Sequence, residues 1–553
     1  MHYAPGLILL MCSFLQSSNA LPWRAVHGEI FAFLAVLMWG WGVRCRNAVP
    51  VRLNMPVIAF LGMGLLVAIQ YATGQIVLRG DAAVLLLYAL LCIGALLVAQ
   101  LHGEDVAWPT ALASALLLAA LASALVALIQ ALGVWTESDW ILRPPRFRRP
   151  GANFGQANHL GTLLVMGAAS LIYLDQRFGI SRPVILLLSL LLLVGMGISE
   201  SRTGLLSGLI LCFWWFARRQ VFIRALRWPW VVIGVLALLT SMWVWPTLIT
   251  HIQEAGPLPE GGGGTINTTA GVRVEVWQQL WEAVWIKPWL GWGLLGVPTA
   301  HNAVLHSYSN SLPFSYAHNV ILDMAIGMGL PLTVFALCAL GVWGGRRVRS
   351  VQTVASWYAV GLLIPFAIHS LLEYPFAYAY LLVPALLAIG MLEQNYALPA
   401  GKKISRKVLV GGLIIFGSLL AWVGVEYLEI EEDFRVARFE SLNVGQTPVG
   451  YERPNIVLLT QLRAMVAATR TTPRPHMSHE EIDLLRTATL RFPWVAVQNC
   501  YALSLALNGS PQEAVRQLKV MRAMHGEKAY EGIKAKWTEL ANTTYPQLKA
   551  LEI

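Results

Sequence analysis

Charge is scarce in this 553-residue chain: 13% of positions are Asp, Glu, Lys or Arg. A soluble protein of that size needs far more charge to cover its surface. The prior of roughly 150 residues per domain, which would suggest three or four soluble domains, is therefore set aside. Cysteine is scarce as well. Cys12, Cys92, Cys212 and Cys338 lie in apolar runs, Cys45 sits at a basic helix end, and Cys500 stands alone in a polar tail. No C-x-x-C pair occurs, which excludes a disulfide framework and a zinc ribbon. A phosphate-binding loop is missing too, because the glycine run Gly261 to Gly264 has no such Lys after it.

Apolar residues are abundant instead, at 56%, with 22 Trp. Disorder and collagen are excluded, and the expected class is an all-α polytopic membrane protein. Apolar stretches able to cross ~30 Å of hydrocarbon recur from about residue 4 to 426, and we count about thirteen transmembrane helices. Residues 1–134 read as N-terminal transmembrane helices. Residues 135–426 read as a membrane core with a large outer loop at 247–317, and 427–553 as a small helical domain. That tail carries 15 Lys+Arg against 14 Asp+Glu. Within it, Tyr501 to Ala514 has the pattern of one helix-turn-helix of the tetratricopeptide type. The first apolar segment is expected to be an uncleaved helix, since Met1 to Pro5 lacks the basic residues of a signal peptide.

The net charge of +10 reports topology and anionic lipid rather than nucleic acid. One set of connections holds sixteen Lys and Arg, and the opposite set holds nine. The richer set is expected inside, which puts the N-terminus in the cytoplasm and the C-terminal domain outside. Five of the nine outer charges cluster at Arg143, Arg146, Arg148, Arg149 and Arg202. Cations on the disfavoured side call for another reason, such as an anion held at the membrane surface.

The densest polar motif is Arg148-Arg149-Pro150-Gly151-Ala152-Asn153-Phe154-Gly155-Gln156-Ala157-Asn158-His159, just before a helix that enters the membrane from outside. Glycines let backbone approach a ligand, and a helix N-terminus favours an anion. Ser199-Glu200-Ser201-Arg202-Thr203-Gly204 places a charge at another outer helix end, a functional candidate by default. Arg273 and Trp277 lead to Pro288-Trp289-Leu290-Gly291-Trp292-Gly293. With Gly296 this fits G-x-G-x-x-G literally, but no βαβ unit surrounds it, so a dinucleotide fold is rejected. His318-Asn319 follows, with Gly329 downstream. An imidazole with an ordinary pKa near 6.5 suits proton transfer there. His301 and His306 share the loop without a motif, and the three histidines fit no metal-ligand spacing, so no metal or cofactor is expected. Last comes His369-Ser370-Leu371-Leu372-Glu373-Tyr374-Pro375. His369 and Glu373, four apart, are expected on one helix face, with Pro375 ending the helix.

In content and order these motifs resemble bacterial protein O-oligosaccharyltransferases of the PglL type. Those belong with O-antigen ligases and polymerases to one membrane glycosyltransferase superfamily. The resemblance covers most of residues 140–380 and implies a GT-C-like fold. It implies that Arg202 and Arg273 face a donor pyrophosphate and that Tyr374 lies in the active-site region. Catalytic roles are expected for His318, Arg202, Arg273 and Tyr374. Substrate contacts are expected from Arg148, Arg149, Gln156, Asn158, His159, Asn319 and Glu373. An outward-facing enzyme has no nucleotide supply, so its donor should be a preassembled activated lipid. The resemblance names an undecaprenyl-pyrophosphate-linked oligosaccharide as donor, and Ser or Thr of exported proteins such as pilins as acceptor. Rival readings are an O-antigen ligase or polymerase, a lipid-linked-sugar transporter, and a non-catalytic scaffold.

Overall fold

The computed structural model describes residues 3–42, 53–102, 105–135, 138–142, 149–222, 228–253, 268–394, 404–442, 444–447 and 449–551. Among these residues there is no strand. In chain order the helices are α1 (Ala4–Leu15), α2 (Val26–Gly42), α3 (Met55–Ala72), α4 (Arg79–His102), α5 (Ala107–Leu132), α6 (Ala157–Phe178), α7 (Arg182–Ser199), α8 (Arg202–Ala217) and α9 (Trp228–Gln253). There follow α10 (Thr268–Ile286), α11 (Val297–Val304), α12 (Val320–Met328), α13 (Leu330–Arg349), α14 (Val354–Leu372), α15 (Ala379–Gln394) and α16 (Arg406–Ser441). The tail adds α17 (Thr460–Arg470), α18 (His479–Arg491), α19 (Val495–Leu507), α20 (Pro511–His525) and α21 (Glu527–Thr543).

Each apolar stretch of the sequence has its helix. Among the described residues eight, namely α3 to α7, α9, α14 and α16, are long and apolar enough to cross a membrane. The apolar helices α1, α2, α8 and α15 are shorter. The chain is a polytopic, all-α membrane protein. One segment departs from expectation. The stretch expected to be a single span from residue 319 is broken into α12 and α13 at Gly329, whose φ is +79. A Cβ there would stand 2.2 Å from the Trp289 carbonyl oxygen, so only glycine lets these backbones meet. The region 247–317 is also more ordered than a loop, since α10 and α11 lie within it. Cys45 and the Gly261 to Gly264 run fall outside the described residues.

Two compact units divide the chain. The first comprises residues 1–64, 87–263 and 339–420; the second comprises 65–86, 264–338 and 421–553. In the first unit helices approach through small side chains: a Cβ on Gly167 would meet the Ala120 Cβ at 2.5 Å, and one on Gly390 the Ala99 Cβ at 2.3 Å. Such contacts suit membrane helices, where lipid is as apolar as leucine and close van der Waals packing drives association. Ends are closed locally. α5 and α6 stop at left-handed Gly133 and Gly179, and α14 starts in a Thr353/Ser356 capping box.

In the second unit the tail folds as its polar composition requires. α19 and α20 form the expected helix-turn-helix, turning at Gly509 with φ +84. Its apolar face is covered by the neighbouring tail helices, in a core that includes Leu485, Tyr501, Leu518 and Trp537. A smaller cluster joins Leu305 to Val520, Ala523 and Met524 of α20. Asn302 pairs with Gln517 at 3.1 Å, and the Ser311 N–H donates to the Ala523 carbonyl at 2.8 Å. The tail thus braces the segment that leads toward His318.

Candidate active site

Three motifs of the first unit meet at Asn158, in the first turn of α6. Its Nδ2 donates to Glu373 Oε1 at 3.3 Å, and its Oδ1 accepts from Ser201 Oγ at 2.8 Å. Ser201 is the N-cap of α8 and accepts the Gly204 N–H at 3.0 Å. Backbones are close here: a Cβ on Gly161 would lie 2.9 Å from Ser201 Oγ. Glycine at 161 therefore lets α6 reach the start of α8. One helical turn deeper, Thr162 Oγ1 pairs with His369 Nδ1 at 2.8 Å. Glu373 does not share a helical face with His369. α14 ends at Leu372, and Glu373 is extended, with φ −154 and ψ −162. Pro375 cannot continue the helix and disfavours helical backbone at Tyr374, opening its own short turn instead.

Arg202 is exposed at the first position of α8. A cation in a first helical turn opposes the helix dipole, so the fold gains nothing from an arginine there. Arg149, also exposed, donates from Nη2 to the Glu200 carbonyl at 3.0 Å and from Nε to the Ser199 carbonyl at 3.4 Å. It thereby fastens the Gly151–His159 motif to the C-terminal end of α7, where a cation is favoured. Arg148 lies outside the described residues.

Gln156 precedes α6 as its N-cap and lines a pocket of about 270 Å³ together with His159, Tyr374, Tyr378 and Tyr380. His159 is buried, its Nδ1 paired with Tyr380 Oη at 2.9 Å and its ring edge-on to Tyr378 at 4.4 Å. Tyr374 stacks on Tyr378 with centroids 5.8 Å apart.

In the second unit the residue before His318 is held from both sides. Trp277 Nε1 donates to the Ala317 carbonyl at 2.7 Å, and the Ala317 N–H donates to Asp323 Oδ1 at 2.9 Å. His318 takes a left-handed backbone with φ +56, and its ring lies on Phe314 at 4.4 Å. Such backbone is sparsely populated outside glycine and persists only where its surroundings impose it. Asn319 caps α12, its Oδ1 accepting the Ile321 and Leu322 N–H groups at 3.0 and 3.1 Å. Arg273, half-buried, stands one helical turn before Trp277 on α10. The motif glycines pack backbone rather than ligand: a Cβ on Gly291 would lie 2.4 Å from the Ile326 carbonyl oxygen and 2.7 Å from the Gly329 nitrogen. His301 is wholly buried, pairing through Nε2 with Gln279 at 2.9 Å and with Ser311 at 3.0 Å. Burial pushes its imidazole down to about 3.

The family described as O-Antigen ligase matches residues 184–337, and the family described as Virulence factor membrane-bound polymerase, C-terminal, matches residues 357–539. A General O-oligosaccharyltransferase of Acinetobacter baylyi is 23% identical over 536 residues, covering 94% of this chain and 91% of that protein. Along most of its length the chain is thus similar to an O-oligosaccharyltransferase, in keeping with its resemblance to the PglL type. A ComP-specific O-oligosaccharyltransferase of the same organism is 26% identical over 253 residues, 44% of each chain. The chain is accordingly a glycosyl-transferring membrane enzyme. Some of its site neighbours were hidden in the sequence. Ser201, Trp277 and Asp323 stood inside recognised motifs without a role, whereas nothing in the pattern marked Thr162, Tyr378 or Tyr380.

Proposed function

We propose that this enzyme transfers a preassembled oligosaccharide en bloc from undecaprenyl pyrophosphate to Ser or Thr hydroxyls of exported, pilin-like proteins. The transfer takes place at the periplasmic face of the bacterial inner membrane. The observation that carries this reading is the convergence on Asn158, which joins the start of α8, where Arg202 stands, to Glu373 beside Tyr374. Polar side chains at membrane-helix ends are costly unless solvated or paired. Here they interlock, with an exposed guanidinium next to the linked serine.

In the proposed reaction the acceptor oxygen attacks the anomeric carbon, and the bond from that carbon to the pyrophosphate oxygen breaks. Lipid pyrophosphate leaves, and in-line attack inverts the anomeric centre. Arg202 and Arg273 stabilise the charge that develops on the leaving group, with Arg148 and Arg149 assisting. His318 takes or orients the hydroxyl proton. Its clamped, left-handed backbone supports this role, because such conformations collect at functional positions. Gln156, Asn158, His159 and Tyr374 hold sugar or phosphate oxygens, with Glu373 orienting Asn158.

The matched family descriptions, ligase and polymerase, favour a second reading in which a sugar hydroxyl is the acceptor. Reconstituted enzyme supplied with lipid-linked oligosaccharide separates the two. Glycan covalently attached to a Ser-containing pilin, with release of lipid pyrophosphate, supports protein transfer. Product only on lipopolysaccharide core, or only longer lipid-linked chains, overturns it in favour of ligase or polymerase.

A further inference from the structure

The connection between α1 and α2 forms one wall of the pocket beside the Gln156 motif. Gln16, Ser18, Asn19 and Arg24 line it from that side. The wall is built in place. Asn153 Nδ2 donates to the Leu15 carbonyl at 2.6 Å and to the Trp140 carbonyl at 3.0 Å, while its Oδ1 accepts the Leu142 N–H at 3.1 Å. Ser17 Oγ donates to the Asp139 carbonyl at 2.7 Å. Gly155, with φ +63, lies so near the connection that a Cβ would stand 2.7 Å from Asn19 Nδ2. An N-terminal segment with no motif of its own is therefore fastened to the most informative motif of the chain.

Arg24 is the one permanent cation among the described residues that line this pocket. Its side chain is exposed, and it makes no ion pair among the described residues. On the proposed orientation it sits in an outer connection, the side on which basic residues are disfavoured. Topology does not account for it, nor does an ion-pair partner among the described residues. The remaining lining offers neutral amides and hydroxyls, with aromatic faces from Phe154, Tyr374 and Tyr378. At about 270 Å³ the space falls just below the roughly 300–1,000 Å³ of sites for drug-sized ligands. It is matched to one sugar ring rather than to a whole oligosaccharide. Among the described lining, a guanidinium beside neutral donors fits a monoanion such as a carboxylate. Arg also pairs with a carboxylate through two parallel hydrogen bonds.

Resting on the oligosaccharyltransferase reading, we propose that this pocket is a glycan subsite that takes one carboxylate-bearing sugar ring of the donor, with Arg24 as its specificity-determining residue. The amides of Gln16, Asn19 and Gln156 meet ring hydroxyls, and the tyrosine rings meet the carbohydrate C–H face.

The test is titration of detergent-solubilised full-length protein with glucuronate, glucose and inorganic phosphate, using wild type, Arg24→Gln and Arg24→Lys. Saturation-transfer NMR of the sugars and calorimetry for all three ligands supply the readout. Wild type should bind glucuronate about tenfold or more tightly than glucose, as a charge-assisted pair would give. That ratio should collapse in Arg24→Gln and recover partly in Arg24→Lys, with unchanged melting temperatures showing that each variant is folded. Equal affinity for the two sugars in wild type overturns the proposal, as does phosphate binding that depends on Arg24 in place of glucuronate. A matched pair of lipid-linked donors, one ending in an acidic and one in a neutral sugar, separates this inference from its foundation. A wild-type acidic-to-neutral kcat/KM ratio that falls in Arg24→Gln supports the subsite. Transfer at a ratio unmoved by the variant sinks the subsite alone, and failure of wild type to transfer from either donor sinks the oligosaccharyltransferase reading with it.

Discussion

Asn158 supplies a donor to one motif and an acceptor to another, and the two functions can be separated. Asn158→Asp keeps an acceptor for Ser201 Oγ but sets a second carboxyl against Glu373, which is buried. Removing one partner of a buried hydrogen bond costs about 1–3 kcal/mol. We therefore expect turnover in the reconstituted assay to fall about tenfold or more, with a lowered melting temperature; full activity would remove Asn158 from the site. At His318 the expectation is a split between stability and activity. His318→Gly relieves a left-handed backbone at φ +56, a gain of about 1 kcal/mol, and loses the ring contact with Phe314, an offset of similar size. Thermal unfolding should change little while turnover is lost. A variant that melts normally and still transfers glycan would show that the imidazole has no chemical part.

At the scale of elements, the sequence made some parts plain and hid others for physical reasons. Helices were legible because apolar runs of membrane length have no alternative use, and the place of Arg202 at a helix start was legible from the gap between two such runs. The break at Gly329 was not legible, since it depends on the Trp289–Gly291 backbone, which lies far away in sequence. The same holds for the clamp on Ala317, made by a Trp on α10 and an Asp on α12, and for the wall that the α1–α2 connection adds to the pocket. The α10–α11 region makes a prediction of its own. Buried His301 refuses a proton until about pH 3, whereas an unfolded histidine accepts one near 6.5. Its contribution to stability is thus complete above pH 6.5. It is lost as pH falls from there toward 3, by about 1.4 kcal/mol per pH unit. Melting temperatures measured from pH 7 to 4 should fall more steeply for wild type than for His301→Gln. Parallel curves would mean that His301 is not held neutral.

For the whole molecule, orientation governs the chemistry. The charge-rich connections carry sixteen Lys and Arg against nine, and the proposed orientation, with the α7–α8 junction and the His318 segment outside and away from nucleotides, rests on this asymmetry. On the proposed orientation the enzyme would draw on a lipid-linked donor, with Arg202 and Arg273 facing a departing diphosphate. The most direct measurement is cysteine labelling in intact cells with a membrane-impermeant maleimide, in a background with the native cysteines replaced. Arg202→Cys and His318→Cys should both label from outside, and a control cysteine at Arg346 only after the membrane is opened. Protection of both site positions in intact cells, with labelling of the Arg346 control, would contradict the account.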